Sequence, residues 1–505
     1  MDQERIISPV MASQHPDNAG IPFWHNDTFV GRQDEIKELY VMFSDLGVGE
    51  CMLDWEGKYV AEDHMEQLYT SYSDFFAKNP LGDKKFLTYR LPNPKVETEF
   101  RLGRALMGIL SSSVLSNQFN LTKPPLFEVI LPMTETAEEM IAVQDAFSEM
   151  SNLKSPLLRF QDATLKHIQL IPLFEQAETI SISAKILEDY VKLHQERFGF
   201  KPDYIRPFIA RSDPALNSGL VPTLLAAKIA LSDYEKFENE TGINLYPIIG
   251  TGSLPFRGSL RPDVVEDFAS EYKGVSTALI QSAFRYDWDT KTVSDGIRKL
   301  EELLPKESAR LIDSADLSGL KSISSVFELN YRGVVETIAP LVNAVARFVP
   351  TRRERLQHVG LFGYSRGVSG VVLPRAIGFT AAQYSIGVPP ELIGTGRGLS
   401  EAKKSGKLDL IENTYINLKK DLIHAGKFLN KENLRRLGII SSGWERVLKD
   451  VSLIEEYLDQ PLGPETDKEQ EHFDIVRKIY NRLSSGDNEI GDLMQRAAEK
   501  RNSIG

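Results

Sequence analysis

Charged side chains recur in this sequence directly after short apolar runs, at positions where a buried strand would end. They include one histidine, two carboxylates and three arginines, namely His15, Glu175, Asp213, Arg90, Arg211 and Arg257. Carboxylates are among the ligands that Mg²⁺ prefers, and this ion keeps its other positions for water or substrate oxygens. Arginine offers fixed, paired donors to carboxylate and phosphate groups. The combination predicts a divalent cation beside an anionic substrate.

The role of His15 stays open on the residues alone. It lies in MASQHPDN, residues 11–18, where it precedes a proline and an Asp-Asn pair. These residue types also serve simply to turn a chain out of a strand. An isolated histidine is more often structural than catalytic, and the other histidines show no paired spacing typical of metal ligands.

Asp213 and Arg257 also have structural alternatives. The Asp213-Pro214 pair is a usual beginning for a helix, because aspartate caps the first amides and proline fits the first turn. Arg257 lies in GTGSLPFRG, where small neighbours allow backbone amides to approach an anion. The same composition is compatible with an ordinary turn.

Eight apolar runs of strand length predict a repeating architecture in the first part of the chain. They are residues 9–13, 50–55, 85–90, 126–131, 168–174, 204–211, 244–250 and 275–284. Helical patterns lie between them, so the strands should form a parallel sheet covered on both faces. Eight such units are what a (β/α)8 TIM barrel requires. We therefore predict an α/β protein with this barrel over residues 1–290; the alternative is a doubly wound open sheet, although no GxGxxG turn follows any run.

Helical patterns dominate residues 291–505, which we expect to pack on the barrel as additional C-terminal α-helices. They are predicted at 292–304, 331–348, 400–405, 408–429, 431–439, 444–459, 467–484 and 489–502. A Gly-rich stretch at 360–398 interrupts them and carries Arg366, Arg375 and Arg397. These arginines are predicted to complete an anion pocket at the mouth of the barrel; a flexible loop with solvated arginines is an equally compatible interpretation.

Composition excludes several classes of protein. The net charge of −12 argues against a nucleic-acid partner, and the single cysteine argues against a disulfide framework. No apolar run approaches the roughly 18 residues of a membrane helix, and the first residues lack the apolar core of a signal peptide. We expect a cytoplasmic globular protein with neither nucleic acid nor membrane among its partners.

Six segments, taken together and in this order, resemble the archaeal-type, short-form phosphoenolpyruvate carboxylases. They are MASQHPDN, TYRLPNP, IPLFE, ARSDPALNSG, GTGSLPFRG and QSAFRYD. The resemblance extends over essentially the whole chain. It implies a (β/α)8 barrel, a homotetramer, Mg²⁺ or Mn²⁺ as cofactor, and irreversible carboxylation of phosphoenolpyruvate by bicarbonate to oxaloacetate and phosphate.

The resemblance also implies roles for individual residues. His15 is similar to the catalytic histidine in the His-Pro motif of the long enzymes, and Arg257 to an arginine of their Gly/Arg-rich substrate loop. Glu175 matches their metal-binding glutamate, which follows Pro-Leu-Phe, and Asp213 matches their metal-binding aspartate, which follows a serine. Position alone predicts substrate binding for the remaining arginines, Arg90, Arg211, Arg366, Arg375 and Arg397.

Two departures from the long enzymes are visible. PFRGSLRP has no second histidine, and apolar residues with Asn217 stand where those enzymes have a lysine after the metal aspartate.

Two other classes remain as alternatives to the carboxylase. One is a metal-dependent barrel lyase or aldolase that acts on a pyruvate enolate, and the other is a non-catalytic helical scaffold.

Overall fold

The computed structural model describes most of the chain. The described residues are 5–55, 58, 60, 63–97, 100–119, 121–153, 165–354, 367–368 and 371–505. Among them no helix is both long and apolar enough to cross a membrane. Arg366, which the sequence analysis assigned to the substrate pocket, lies outside the described residues.

Eight parallel strands close into a barrel, as the eight apolar runs predict. Each strand pairs with its sequence neighbours, and the last pairs with the first. The strands are β1 Val10–Ser13, β2 Glu50–Asp54, β3 Phe86–Arg90, β4 Glu128–Leu131, β5 Gln169–Phe174, β6 Phe208–Ala210, β7 Ile248–Gly250 and β8 Thr277–Ile280.

The interior of the barrel is layered along its axis. An apolar cluster fills the middle with side chains from β1, β2 and β4–β8, namely Met11, Met52, Ile130, Ile171, Leu173, Phe208, Ile248 and Leu279. Below it, at the amino end, the buried guanidinium of Arg206 bridges Glu50 and Glu128. The barrel is therefore a packed core, and its carboxyl end is left to the polar side chains that follow each strand.

Helices cover the barrel on the outside. They are α1 Glu35–Ser44, α2 His64–Ser71, α3 Ser73–Lys78, α4 Arg101–Gln118, α5 Ala137–Ser151, α6 Ala177–Ser181, α7 Ser183–Phe198, α8 Ser212–Ser218, α9 Leu220–Thr241, α10 Val265–Glu271, α11 Ser282–Tyr286 and α12 Thr290–Leu303. Their buried faces carry the apolar residues that alternate with the strands in the sequence.

Nine further helices follow. They are α13 Ser314–Ala346, α14 Ala376–Ser385, α15 Thr395–Lys404, α16 Leu408–Thr414, α17 Leu418–Gly426, α18 Lys431–Ile440, α19 Ser442–Leu458, α20 Asp467–Ser484 and α21 Gly491–Arg501 within the described part of the chain. The long helix α13 packs on α8 and α9 of the barrel and on α14, α15 and α19. Helix α13 therefore connects the C-terminal helices to the β6 side of the barrel.

Prolines shorten two of the predicted strands. The runs at 204–211 and 244–250 are interrupted by Pro207 and Pro247, which cannot donate a ladder hydrogen bond. The residues before them, Tyr204–Ile205 and Asn244–Leu245, pair with each other outside the barrel. The eighth run also ends early, because its last residues form helix α11.

Two expectations about the second half were wrong in detail. Helix α13 begins at Ser314, well before the predicted 331, where the Asp313 side chain accepts from the Asp316 amide and caps it. The Gly-rich stretch contains helix α14, whose buried residues include Phe379 and Tyr384. Tertiary packing here outweighs the low helix propensity of glycine.

Candidate active site

A cavity of about 270 Å³ lies at the carboxyl end of the barrel. It brings together seven of the residues that the sequence analysis selected, although they are spread over 360 residues of chain. They are His15, Arg90, Glu175, Arg211, Asp213, Arg257 and Arg375. The strand ends place the first six, and the N-terminus of α14 places Arg375. Such convergence at the carboxyl end is where barrel enzymes carry their active sites.

His15 is oriented by its own strand. The hydroxyl of Ser13, the last residue of β1, lies 2.8 Å from Nδ1 of His15. The His15 carbonyl accepts from the amides of Asp17 and Ser282, each at 3.2 Å. The turn after Pro16 is thereby attached to the beginning of α11, and the imidazole is held at the cavity wall.

Arg257 is buried in a dense set of acceptors. Its Nη1 donates to Oδ2 of Asp17 at 3.0 Å and to the carbonyl of Gly505, and its Nη2 donates to Gln281. Its Nε donates to the Ser212 hydroxyl at 3.1 Å. Burial lowers the pKa of Arg257 and raises that of Asp17, although their mutual attraction opposes both shifts. The guanidinium is thus fixed in orientation before any substrate arrives.

The loop that carries Arg257 requires glycine at two positions. A Cβ on Gly252 would lie 2.7 Å from Cζ of Arg257, and Gly258 has a φ of +118° with Thr251 Cγ2 only 2.5 Å from a Cβ position. The Phe256 amide donates to the buried carboxyl of Glu391 at 2.8 Å. The small residues of GTGSLPFRG therefore serve a close backbone approach around the arginine.

Arg211 carries donors that no described residue uses. Its side chain is 0% exposed, and its Nε donates to the Tyr272 hydroxyl at 2.8 Å. Both Nη atoms are buried and make no hydrogen bond within the described part of the chain. Buried donors of this kind are costly unless something pairs with them, and here they belong to a side chain that lines the cavity. The arrangement suits an anionic ligand.

Glu175 and Asp213 lie on neighbouring strand ends. Oε2 of Glu175 accepts from the Met133 amide at 2.7 Å, and Asp213 lies in the first turn of α8. Both line the main cavity and also an adjoining one of about 230 Å³. Among the described residues, no group of three or more His, Cys, Asp or Glu is arranged to hold a metal. Two carboxylates nevertheless fit Mg²⁺, which takes its other ligands from water and substrate.

Arg90 is held by the strand beside it. The barrel register places it directly opposite Asp54, and the two side chains form a bidentate pair with N–O distances of 2.9 and 2.6 Å. This geometry fixes the Arg90 guanidinium at the cavity wall.

The structure does not bring Arg397 to the cavity. Its Nε and Nη2 donate to the two oxygens of Asp450 at 2.8 and 2.9 Å, and Nη2 also donates to the Asn330 carbonyl. The side chain joins helices α15, α19 and α13, and it is not among the residues that line the cavity.

The sequence analysis gave no role to several residues in and behind the cavity wall. Arg352, Arg353 and Gln281 line the cavity, and Asp17 contacts Arg257 behind its wall. A usable signal for the first two was the pair of adjacent arginines that follows Pro350-Thr351, shortly after the end of a predicted helix. Nothing in the local pattern indicates that this segment crosses to the barrel mouth.

Comparison with known proteins agrees with the sequence segments. A family model described as phosphoenolpyruvate carboxylase matches residues 7–505. A phosphoenolpyruvate carboxylase of Leuconostoc mesenteroides is 37% identical over 503 residues, covering 99% of both chains. That of Methanothermobacter thermautotrophicus is 40% identical over 455 residues, covering 87% of this chain and 90% of the relative.

A malate synthase structure from Haloferax volcanii aligns with a TM-score of 0.40 at 11% identity, covering 82% of this chain and 99% of that one. This similarity is too low to support an inference. The family match and the two relatives span nearly the whole chain at well above 30% identity. The chain belongs to the phosphoenolpyruvate carboxylase family, in the short form that its sequence segments indicated.

Proposed function

We propose that the cavity at the carboxyl end of the barrel is where this phosphoenolpyruvate carboxylase joins phosphoenolpyruvate with bicarbonate. The products are oxaloacetate and phosphate. The observation that carries this assignment is the buried Arg211 guanidinium, which lines the same cavity as Glu175 and Asp213 and has two unpaired nitrogens. A cation site beside unpaired arginine donors matches a substrate that carries both a carboxylate and a phosphate.

Glu175 and Asp213 are the residues that would hold Mg²⁺ or Mn²⁺. When bound there, the cation supplies positive charge for the enolate oxygen that develops as phosphate leaves. The donor set fits, because both carboxylates line the cavity and a third protein ligand is not needed.

Arg257 and Arg211 bind the phosphate, with Arg90 and Arg375 at neighbouring positions on the cavity wall. Arg257 is held by Asp17, Gln281 and Ser212, so little of its conformational entropy remains to be lost on binding. Such preorganised cations favour the charge distribution of a transferring phosphoryl group.

The reaction then proceeds in two halves. A bicarbonate oxygen attacks phosphorus and the bond from phosphorus to the enol oxygen breaks, which gives carboxyphosphate and the enolate of pyruvate. Carboxyphosphate separates into carbon dioxide and phosphate, with its proton retained on phosphate. The methylene carbon of the enolate attacks carbon dioxide, which forms the new carbon–carbon bond of oxaloacetate. His15 guides the carboxyphosphate proton, since its ring is held at the wall by Ser13.

Water must be kept out while the enolate exists, because protonation of its carbon would release pyruvate. We assign most of the site to residues 1–290 and its completion to residues 291–505, in particular the Gly/Arg-rich stretch 360–398. Arg375, Ala376, Ile377 and Gly378 support this division, since they line the cavity from the C-terminal side. The family resemblance further supports a homotetramer in the cytoplasm, and sedimentation velocity of the purified protein tests the assembly.

Activity is tested with purified protein, Mg²⁺, phosphoenolpyruvate and bicarbonate, following oxaloacetate by its coupled reduction to malate. We expect a rate that requires both bicarbonate and the cation. The absence of oxaloacetate would contradict the proposal. Glu175→Gln should raise the Mg²⁺ concentration for half-maximal rate by about tenfold or more. The matched control is Glu178→Gln, which changes an exposed glutamate outside both cavities.

His15→Asn separates the two halves of the reaction. We expect it to abolish oxaloacetate formation while bicarbonate-dependent release of phosphate and pyruvate continues. His25→Asn is the control, because His25 belongs to the same N-terminal segment but does not line the cavity. An unchanged rate of oxaloacetate formation in His15→Asn would contradict a catalytic role.

A further inference from the structure

Arg353 is brought into the cavity by a segment that the sequence analysis did not connect with the site. It follows the end of α13, where Val30 pairs with Arg353 in a parallel bridge and the Val30 amide donates to the Arg352 carbonyl at 2.9 Å. The Arg353 side chain is 3% exposed and lines the cavity. The N-terminal segment therefore anchors this arginine at the barrel mouth.

Only part of the Arg353 guanidinium has a partner. Nη2 donates to Oε1 of Glu38, a fully buried residue of α1. Nη1 is buried and makes no hydrogen bond among the residues that the structure describes. A buried charged donor without a partner is unfavourable, so this nitrogen is arranged to meet a group that enters the cavity.

The charged side chains around Arg353 indicate that the group it would bind is an anion. Glu38 also accepts from Nη2 of Arg285 at 3.5 Å and from the Tyr286 hydroxyl at 2.8 Å. One carboxylate therefore serves two buried guanidinium groups. The nearby carboxylate of Glu35 already pairs with Lys58 and His64. Neither carboxylate pairs with Nη1 of Arg353, so this donor is left for an anion that enters the cavity.

The location of Arg353 indicates which anion. Glu38 also accepts from Nε2 of Gln14, at 3.4 Å, so this wall is the one that carries His15. The barrel order places β1 and β2 across from β5 and β6, whose ends carry Glu175 and Asp213. The proposed phosphoenolpyruvate site at Glu175 and Asp213 therefore lies on one side of the barrel mouth, and Arg353 lies on the other.

We propose that Arg353 binds bicarbonate, the second anionic substrate, and that Glu38 is the residue that positions it. This assignment rests on the proposed placement of phosphoenolpyruvate at Glu175 and Asp213. Bicarbonate held between Arg353 and His15 lies across the barrel mouth from Glu175 and Asp213. The same two residues then face the carboxyphosphate that forms.

The test measures KM for bicarbonate and KM for phosphoenolpyruvate separately in Arg353→Gln. Endogenous carbon dioxide and bicarbonate are removed from the solutions before known amounts of bicarbonate are added. We expect KM for bicarbonate to rise about tenfold or more, the effect of losing one hydrogen bond to a charged group, with KM for phosphoenolpyruvate nearly unchanged. Arg353→Lys should recover part of the loss. Arg298→Gln is the matched control, because Arg298 is an exposed arginine of α12 paired with Asp295.

Chemical rescue keeps the test decisive if a variant is poorly folded. Added guanidinium ion should restore bicarbonate affinity to Arg353→Ala and have no such effect on the wild type. Glu38→Gln should raise KM for bicarbonate without a matching rise for phosphoenolpyruvate, which a merely structural role would not produce. The effects of Arg353→Gln and Glu38→Gln should be less than additive.

Two results would overturn the proposal. A rise confined to KM for phosphoenolpyruvate would place Arg353 in the other substrate's site. Unchanged Michaelis constants for both substrates would exclude it from binding. Loss of oxaloacetate formation in the wild type would instead contradict the proposed function itself, so the two failures are distinguishable.

Discussion

Oδ2 of Asp17 lies 3.0 Å from Nη1 of Arg257, and both side chains are buried. The other oxygen of Asp17 accepts from the Ala283 amide at 2.7 Å, and its carbonyl accepts from the Ile504 amide at 2.8 Å. One residue of the first barrel loop thus joins the arginine of the seventh loop, the beginning of α11 and the residues after α21. Arg257 is held in place by contacts from both ends of the chain.

Asp17→Asn should therefore impair catalysis more than it impairs folding. The amide group of asparagine would turn a donor toward either Arg257 or the Ala283 amide, so one charged hydrogen bond is lost. We expect kcat/KM for phosphoenolpyruvate to fall about 10- to 100-fold, corresponding to about 1.5–3 kcal/mol. Steady-state kinetics and the thermal midpoint are measured together. Asp27→Asn, at an exposed aspartate of the same segment, is the control, and equal kinetics in the two variants would contradict this role for Asp17.

A second prediction about Arg257 concerns its contact with Gly505. Its carbonyl accepts from Arg257, and a Cβ at this position would lie 2.3 Å from the Ile377 carbonyl oxygen and 2.6 Å from the Ala381 amide nitrogen. Gly505→Ala must displace either residue 505 or the beginning of α14, which also carries Arg375. We expect kcat to fall about tenfold or more, because displacing a positioning group by about 1 Å is costly.

The control for Gly505→Ala is Gly103→Ala. A Cβ on Gly103 meets nothing within 4 Å, and the residue lies inside helix α4. Alanine there should leave kcat unchanged and stabilise the helix by about 0.5–1 kcal/mol. If both variants keep wild-type kcat, the contact between Gly505 and Arg257 has no catalytic importance.

The barrel was predictable because each strand has a local signature. The runs that become β1–β5 are rich in apolar residues, and the strands begin and end within two residues of the predicted limits. The carboxyl ends of parallel strands lie at one end of a barrel, which made His15, Glu175 and Arg257 candidates, and the family resemblance then gave each of them a role. The predicted limits of β6 and β7 were wrong, because Pro207 and Pro247 interrupt the hydrogen bonds of the strand ladder.

The remaining site residues depend on contacts between distant segments. Asp17 meets Arg257 across 240 residues of sequence, and Arg353 meets Glu38 across 315. No local pattern encodes such pairs. Arg397 shows the opposite case, since its Gly-rich context suggested an anion pocket while its partner, Asp450, is fixed by the packing of α15 on α19.

Arg206, at the amino end of the barrel, should matter for stability and not for catalysis. It is fully buried, and its nitrogens lie 2.9 and 2.8 Å from the carboxylates of Glu50 and Glu128. Although burial opposes it, Arg206 and Arg5 lower the pKa of Glu128 to about 2. Removing the arginine leaves two buried carboxylates whose remaining partners in the described part of the chain are the cation Arg5 and the hydroxyls of Thr88 and Tyr204.

Arg206→Met should thus lower the free energy of unfolding by about 3–5 kcal/mol, the usual cost of breaking a buried ion pair on one side. Urea unfolding measures the loss. The kcat of the folded fraction should stay at the wild-type value, because residues at the amino end of a barrel contribute to stability and lie away from the active site. A wild-type unfolding midpoint would show that the Arg206 network contributes nothing net.

A histidine pair near the amino end of β5 should make stability depend on pH. Nε2 of His167 lies 2.9 Å from Nε2 of His194, whose Nδ1 donates to the Phe200 carbonyl at 2.8 Å. Because that carbonyl can only accept, neutral His194 uses Nε2 as acceptor and His167 donates to it. Burial, with the charge of His194, lowers the pKa of His167 to about 4. The surrounding side chains are the rings of Tyr190, Phe198 and Phe200.

An unfolded histidine titrates near pH 6.5, so between about pH 6.5 and 4 the unfolded chain binds more protons than the folded one. Stability should therefore fall as the pH falls through this window. His167→Gln keeps a donor for His194 but does not titrate, so the difference in thermal midpoint between wild type and variant should shrink from pH 7.5 to pH 5. Gln195→Ala, at an exposed residue of α7 with no titratable side chain, should show a constant difference. Parallel midpoint curves for wild type and His167→Gln would contradict the assignment, because they would mean that the pair takes up no proton on unfolding.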